Sequence, residues 1–267
     1  MKRLNLMAAV FALLSFSTLT TSQTIQLNTG FDNTLTAQTI YPNPPVVSNQ
    51  PDHYWMNIMS FPATTPTAGP AWVLHAPQAG WWPVLLPNSR WISATTTAAS
   101  PPQNTFANPG YTVFRKCFCL QPGYKQPQLT FQVRADNQIN GYLNSILNPV
   151  LNPSAGQFTS AAPLQSLPSN PNWFRTGRNC LYFYVEDQGG LMGFDLSGTV
   201  SALGLLPTPE MGMNGSYGSC SCASGPVPTN GGPRAAREAG DNEEEIIKEI
   251  VKIAEKRRSI RINDQKQ

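Results

Sequence analysis

The sequence predicts an all-β protein, a β-sandwich with a linker and one helix appended. Three observations carry this. Pro (25) and Gly (20) are abundant over 267 residues; both interrupt helices, and Thr, Ser and Asn compete for helix hydrogen bonds. Apolar residues recur with period two in several segments, as strands with one buried face require. Turn signals such as "NPG", "PGY" and "QGG" separate those segments. A hydrophobic fraction of 40% and six Trp suffice for a core.

The chain opens with Lys2 and Arg3, then the apolar run Leu6 to Phe16, then "TLTTSQ" with small residues at Thr20 and Ser22. That is the layout of an export signal over residues 1–22, cleaved after Ser22. The run is shorter than the roughly 20 apolar residues that span hydrocarbon, and no later segment is long enough either. The expected location is secreted, extracellular or at the cell surface, with the periplasm as an alternative. No transmembrane segment is expected after cleavage.

Residues 23–206 read as one antiparallel β unit. In "TVFRKCFCL", Phe114, Phe118 and Leu120 fall on one side; in "QLTFQV", Leu129, Phe131 and Val133 do. "CLYFYV" puts Leu181, Phe183 and Val185 on one face and Cys180, Tyr182 and Tyr184 on the other. "LMGFDLSGTV" closes the unit. Antiparallel strands at this spacing indicate a sandwich or a jelly roll. The polar stretch "VRADNQINGYLNS" falls at a connection. There Asp136 and Asn137 are expected to lock a hairpin and Asn144 to start the next turn, because these side chains bond their own backbone.

Residues 207–240 are rich in Gly, Ser and Pro and read as a flexible linker. Residues 241–262 read as a charged amphipathic helix, followed by a disordered tail, 263–267. Asp241 and Glu244 have capping-box spacing, and Glu243 to Glu245 and Lys256 to Arg258 suit the two ends of the macrodipole. Ile246, Ile250 and Ile253 make an apolar stripe. Three roles are open for it: a tail helix that docks on its own domain or stays loosely solvated; self-association or docking to an envelope protein; and insertion into a membrane surface. The Glu and Lys alternating on its polar face disfavour the last.

Charge excludes some partners. Residues 234–267 hold nine Lys/Arg against eight Asp/Glu, and the body between the signal and that tail holds seven of each. No basic face for nucleic acid is visible.

Catalysis finds little support. His53 and His75 are the only histidines, and no G-x-S-x-G elbow occurs. Glu186 and Asp187 are adjacent on a strand and point to opposite faces, a poor pair for glycoside hydrolysis. The expectation is a non-enzyme without a catalytic metal or cofactor, although Asp32 and Asp52 would suit a structural calcium ion. The aromatic residues are the better lead. Trp81, Trp82, Trp91 and Trp173, and Tyr182 with Tyr184 on one strand face, are candidate ligand-binding residues, because a planar ring stacks on the apolar face of a sugar.

Five cysteines, Cys117, Cys119, Cys180, Cys220 and Cys222, are disulfide candidates in an exported chain. Cys117 and Cys119 share a strand face and bond each other poorly. Bridges to Cys180 or to the pair Cys220 and Cys222 are open, as is, less favoured by the spacing, a zinc site built from the two C-x-C pairs. An odd count leaves one thiol free or intermolecular.

Seven segments also line up in order: "LNTGFDN", "DHYW", "AWV", "SRWI", "GYTVFRKCF", "RADNQINGYLN" and "LMGFDLSG". Over roughly residues 25–200 the chain thereby resembles a family of secreted bacterial modules, galactose-binding-like jelly rolls found in extracellular or surface proteins. Cys117, Cys119 and Ser145 depart from that pattern, and the tail after Pro207 lies outside it. The resemblance implies a fold and a compartment more than an activity. With the aromatic residues it points to a non-catalytic module that binds carbohydrate or another extracellular polymer. The alternative is a structural or adhesive surface or matrix protein that assembles through the helix and cysteines.

Overall fold

Residues with period-two alternation become strands whose large apolar side chains turn to one core, while over residues 110–120 and 179–187 the opposite face is buried as well. The structure, a computed structural model, describes residues 22–32, 39–40, 50–61, 69–74, 86–95, 110–154, 158, 163–167, 172–187, 190–206 and 243–264. In chain order the strands are β1 (Gln23–Gln26), β2 (Phe31–Asp32), β3 (Thr39–Ile40), β4 (Gln50–Phe61), β5 (Gly69–Val73) and β6 (Ile92–Ser93). They continue with β7 (Gly110–Asp136), β8 (Gln138–Leu143), β9 (Pro149–Ser154), β10 (Gln165–Leu167), β11 (Gly177–Asp187) and β12 (Gly193–Leu206); the helix is α1 (Glu243–Asp264). Residues 1–21 of the expected export signal, the linker, residues 241 and 242 of the expected helix and the last three residues of the tail lie outside the described residues.

The strands pair antiparallel. One sheet runs β1-β12-β6-β5-β4-β7-β11-β8-β9, with β10 also on β7 and a further β12–β7 pairing, while β2 and β3 pair separately. The long strand β7 makes this sheet a sandwich. Its first half, from Gly110 to Leu120, pairs with β11, and within that half residues 111–115 also pair with β4. Its second half pairs with β12 and β10. The bend between them carries Pro122, Gly123 (φ 78) and Gln126 (φ 51), backbone that a flat strand cannot use. β12 follows the bend through register shifts between Ser201 and Leu205, the usual device for turning a sheet corner.

The core lies between the two layers so formed. Phe131 from the second half of β7 meets Phe183 from β11 edge-on at 5.7 Å, and Phe114 meets Phe194 at 4.8 Å. Trp55 lies against both Phe183 and Phe194 and donates its indole N–H to the Leu27 carbonyl at 3.0 Å. All nine apolar positions read from the three alternating segments of β7 and β11 are fully buried here. Lys116 shares their parity and is fully buried too. Its ammonium stands 5.1 Å over the Tyr54 ring and 5.7 Å over Trp55.

The expected hairpin at Asp136 and Asn137 is instead a crossing between layers. Asp136 pairs with Gly193 in β12, whereas Gln138 pairs with Glu186 in β11. The Asp136–Asn137 peptide is cis, and the Asn137 N–H donates to the Glu186 carbonyl at 2.8 Å. Val133 and Ala135 before the crossing and Ile139 after it are all fully buried in the same core, so the chain changes partner strand without turning its apolar face outward.

Candidate functional site

The outward face of the layer formed by β4, β7, β11 and β8 is built in cross-strand rows. Strand register aligns Tyr111 with Glu186 and Gln138, Val113 with Tyr184 and Asn140, and Arg115 with Tyr182 and Tyr142. Cys117 opposes Cys180 in the next row, and Cys119 opposes Arg178 after that. Side chains of one row stand about 5 Å apart on the same side. The result is a tyrosine face with polar groups among the rings. Tyr111 and Tyr184 meet at 5.2 Å between ring centroids.

This face does not look into solvent. The apolar side of α1 lies on it: Ile246 and Ile250 share one buried cluster with Tyr111, Tyr142, Tyr182 and Tyr184, with Val251, Ile58, Met59 and Ile146 packed around. Ile250 is 1% exposed, whereas Ile260 on the same helix is 51% exposed. Burying two isoleucines contributes about 1.5–3 kcal/mol each before the cost of ordering the helix. The exposed pair Glu244–Lys248, at 2.7 Å, lies within the helix and adds little. The helix therefore docks on its own sheet, one of the roles its sequence left open.

Electrostatics follow from the cover. Burial pushes the Tyr182 phenol above its usual range, against the pull of Arg115, Arg175 and Arg178. Burial raises Tyr142 likewise, with Arg257 of α1 opposing. Asn140 is 1% exposed, and neither its amide nitrogen nor its amide oxygen finds a hydrogen-bond partner among the described residues. Such a group costs about 1–3 kcal/mol where it lies.

At the end of the face the backbone is clamped. Asn144 takes a left-handed φ of 59°, which Asn tolerates better than most residues. Its side-chain oxygen accepts from the Cys180 N–H at 2.8 Å, and its amide donates to Asn179 at 2.8 Å and to the Trp173 carbonyl at 2.9 Å. Cys117 and Cys180 form a disulfide, S–S 2.01 Å, across the neighbouring strands. Cys119 is disulfide-bonded as well. Cys220 and Cys222 lie outside the described residues.

The sequence-selected aromatics separate into four groups. Trp81 and Trp82 lie outside the described residues. Trp91 is 1% exposed and packs with Leu74, Phe158 and Leu191, so its ring has no free face, contrary to the expectation for it. Trp173 is half-buried against the core. Tyr182 and Tyr184 share one strand face with Tyr111 and Tyr142 from partner strands, but they are 2% and 3% exposed, so their rings too are covered. Tyr111 and Tyr142 were missed because they belong to separate segments that only register brings together.

The buried carboxylates have structural tasks. Asp52 accepts from the N–H groups of Gly30 (2.7 Å), Tyr54 (2.8 Å) and Trp55 (2.9 Å). Asp195 accepts from the Ser89 hydroxyl and from the Leu86 N–H at 3.1 Å. Burial raises both carboxyls above their usual range. The Asp52 oxygens that a calcium ion would use thus hold three backbone amides, one in the turn at Gly30 and two in β4. Among the described residues no three His, Cys, Asp or Glu side chains gather as a metal site, and no helix is long and apolar enough to cross a membrane.

No protein-family model and no curated protein matches the chain. Solved structures match with low overlap. The PA14 domain of the MpAFP antifreeze protein is 20% identical, with a TM-score of 0.26, over 38% of this chain and 46% of that one, so the chain spans about half of that domain's length. A Stig cyclase, Fisc, from Fischerella sp. TAU is 11% identical, with a TM-score of 0.35, over 67% of this chain and 98% of that one. A family 35 carbohydrate-binding module from Clostridium thermocellum is 14% identical, with a TM-score of 0.26, over 46% of this chain and 83% of that one.

Proposed function

We propose that the chain is a secreted, non-catalytic β-sandwich of galactose-binding-like type that binds carbohydrate through its tyrosine face. The observation that carries this is the convergence of Tyr111, Tyr142, Tyr182 and Tyr184 on one face around the unbonded amide of Asn140. Phenol rings offer apolar planes to sugar rings, and their hydroxyls and a bare amide offer hydrogen bonds to sugar hydroxyls. Arg115 and Glu186 stand on the same face with opposite charge, so neutral sugars are admitted. The buried Cys117–Cys180 disulfide suits the oxidising compartment that an exported chain enters.

The test is calorimetric titration of the full mature chain with soluble xylan, mixed-linkage β-glucan, galactomannan and polygalacturonate. At least one is expected to bind. Tyr184→Ala, a truncation at the centre of the face, is expected to weaken it about tenfold or more, the consequence of losing about 1.4 kcal/mol. Binding that is indifferent to Tyr184→Ala, or no binding across the panel, refutes the assignment.

A further inference from the structure

We infer that α1 is a displaceable occupant of the tyrosine face, and that a saccharide binds there by taking the place of the helix. This rests on the carbohydrate reading of that face and adds its regulation. Three observations support it. First, helix and candidate ligand share one surface: Ile246 and Ile250 lie in the same buried cluster as the four tyrosines. A saccharide stacked on Tyr182 and Tyr184 and the docked helix exclude one another.

Second, the face holds a polar group left unsatisfied with the helix docked. Isoleucine side chains offer no hydrogen bonds, and the Asn140 amide, in the row of Tyr184, stays buried without a partner among the described residues. A surface evolved only to be sealed would carry an apolar residue at that position. Sugar hydroxyls supply both the donor and the acceptor that the amide lacks.

Third, the buried contact is confined to one part of the helix, with Val251 and the Arg257 guanidinium near Tyr142 beside the two isoleucines. Ile246 and Ile250 are its buried anchors, while Ile260 stays half-exposed. The ion pairs Glu244–Lys248 and Glu249–Lys252 lie within the helix and do not fasten it to the sheet. Residues 207–242 connect it to β12, so a released helix remains at high local concentration and closes again when ligand leaves. Ligand affinity is then reduced by the fraction of molecules that are uncovered.

Loosening the helix in the full chain should therefore tighten binding. Ile250→Asp, which puts a charge at the best-buried anchor, is expected to raise affinity for the bound polysaccharide by about tenfold or more. Ile260→Asp, at the exposed end, should leave it unchanged. In the unaltered protein, saturating polysaccharide should speed hydrogen exchange at the amides of residues 243–264 while slowing it in β11. This measurement decides the matter alone if Ile250→Asp fails to fold. Equal affinities for the two proteins, or helix amides that ligand leaves equally or better protected, would overturn the displacement and leave the carbohydrate reading standing. Absence of binding by every variant would overturn both.

Discussion

Lys116 puts a measurable pH dependence into the stability of this sandwich. It sits in phase with Phe114 and Phe118 and is fully buried. Its ammonium has no hydrogen-bond partner among the described residues; the rings of Tyr54 and Trp55 face it. Burial lowers its pKa from 10.5 to about 8, with Asp52 opposing. The folded value lies below the unfolded one. Between them, unfolding takes up a proton that the folded protein has released, so stability rises with pH through that window. Below about 8 the protein carries the full burden of a buried charge. The span from 10.5 to about 8 corresponds to about 3 kcal/mol at 1.36 kcal/mol per pH unit, of which about 2 kcal/mol is recovered between pH 8 and pH 10. Lys116→Met keeps the volume and removes the titration. Asp52 keeps its three backbone donors in the variant, so it is not left bare. The assay is urea unfolding of both proteins at pH 7, 8, 9 and 10. The wild-type free energy should climb by about 2 kcal/mol relative to Lys116→Met over pH 8 to 10. Parallel curves across that window would refute the assignment of a depressed, buried amine.

Other consequences follow from particular contacts. A Cβ added at Gly198 would lie 2.4 Å from the Phe131 Cβ and 2.5 Å from the Thr130 carbonyl oxygen. Gly198→Ala should therefore cost about 2–3 kcal/mol in urea unfolding, while Gly69→Ala, which meets nothing within 4 Å, should change little. Asn144→Ala strips the Cys180 N–H of its acceptor and removes one of the two donors to the Asn179 side-chain oxygen, and should cost about 3 kcal/mol. Asn144→Gly, free of strain at φ 59°, should recover about 1 kcal/mol of that loss. Cys119 is disulfide-bonded while Cys117 and Cys180 are spent on each other. Non-reducing peptide mapping is therefore expected to join Cys119 to Cys220 or Cys222; a free Cys119 thiol would contradict it.

The sequence by itself determined the strand faces and the class. Period-two alternation in β7 and β11 separates Phe114, Phe118, Leu181 and Phe183 from Cys180, Tyr182 and Tyr184 because the pleat leaves no other arrangement. The helix was legible from its cap, its charges and its isoleucine stripe, and forms over Glu243–Asp264. These are local facts, set within a few residues of one another.

Tertiary structure decided what lies opposite what. The pairing of Cys117 with Cys180, the row of Arg115, Tyr182 and Tyr142, and the docking of Ile250 depend on register between strands far apart in the chain. So does the change of layer after Asp136, which local turn chemistry alone reads as a hairpin. Lys116 is the sharpest case. Its position in the alternation marks it for the interior, and its charge marks it for solvent. Neighbours from other strands, the rings of Tyr54 and Trp55 and the carboxylate of Asp52, make burial tolerable. The same division holds for the tyrosine face: the chain supplies its rings two strands at a time, and only folding assembles them and lays the helix across them.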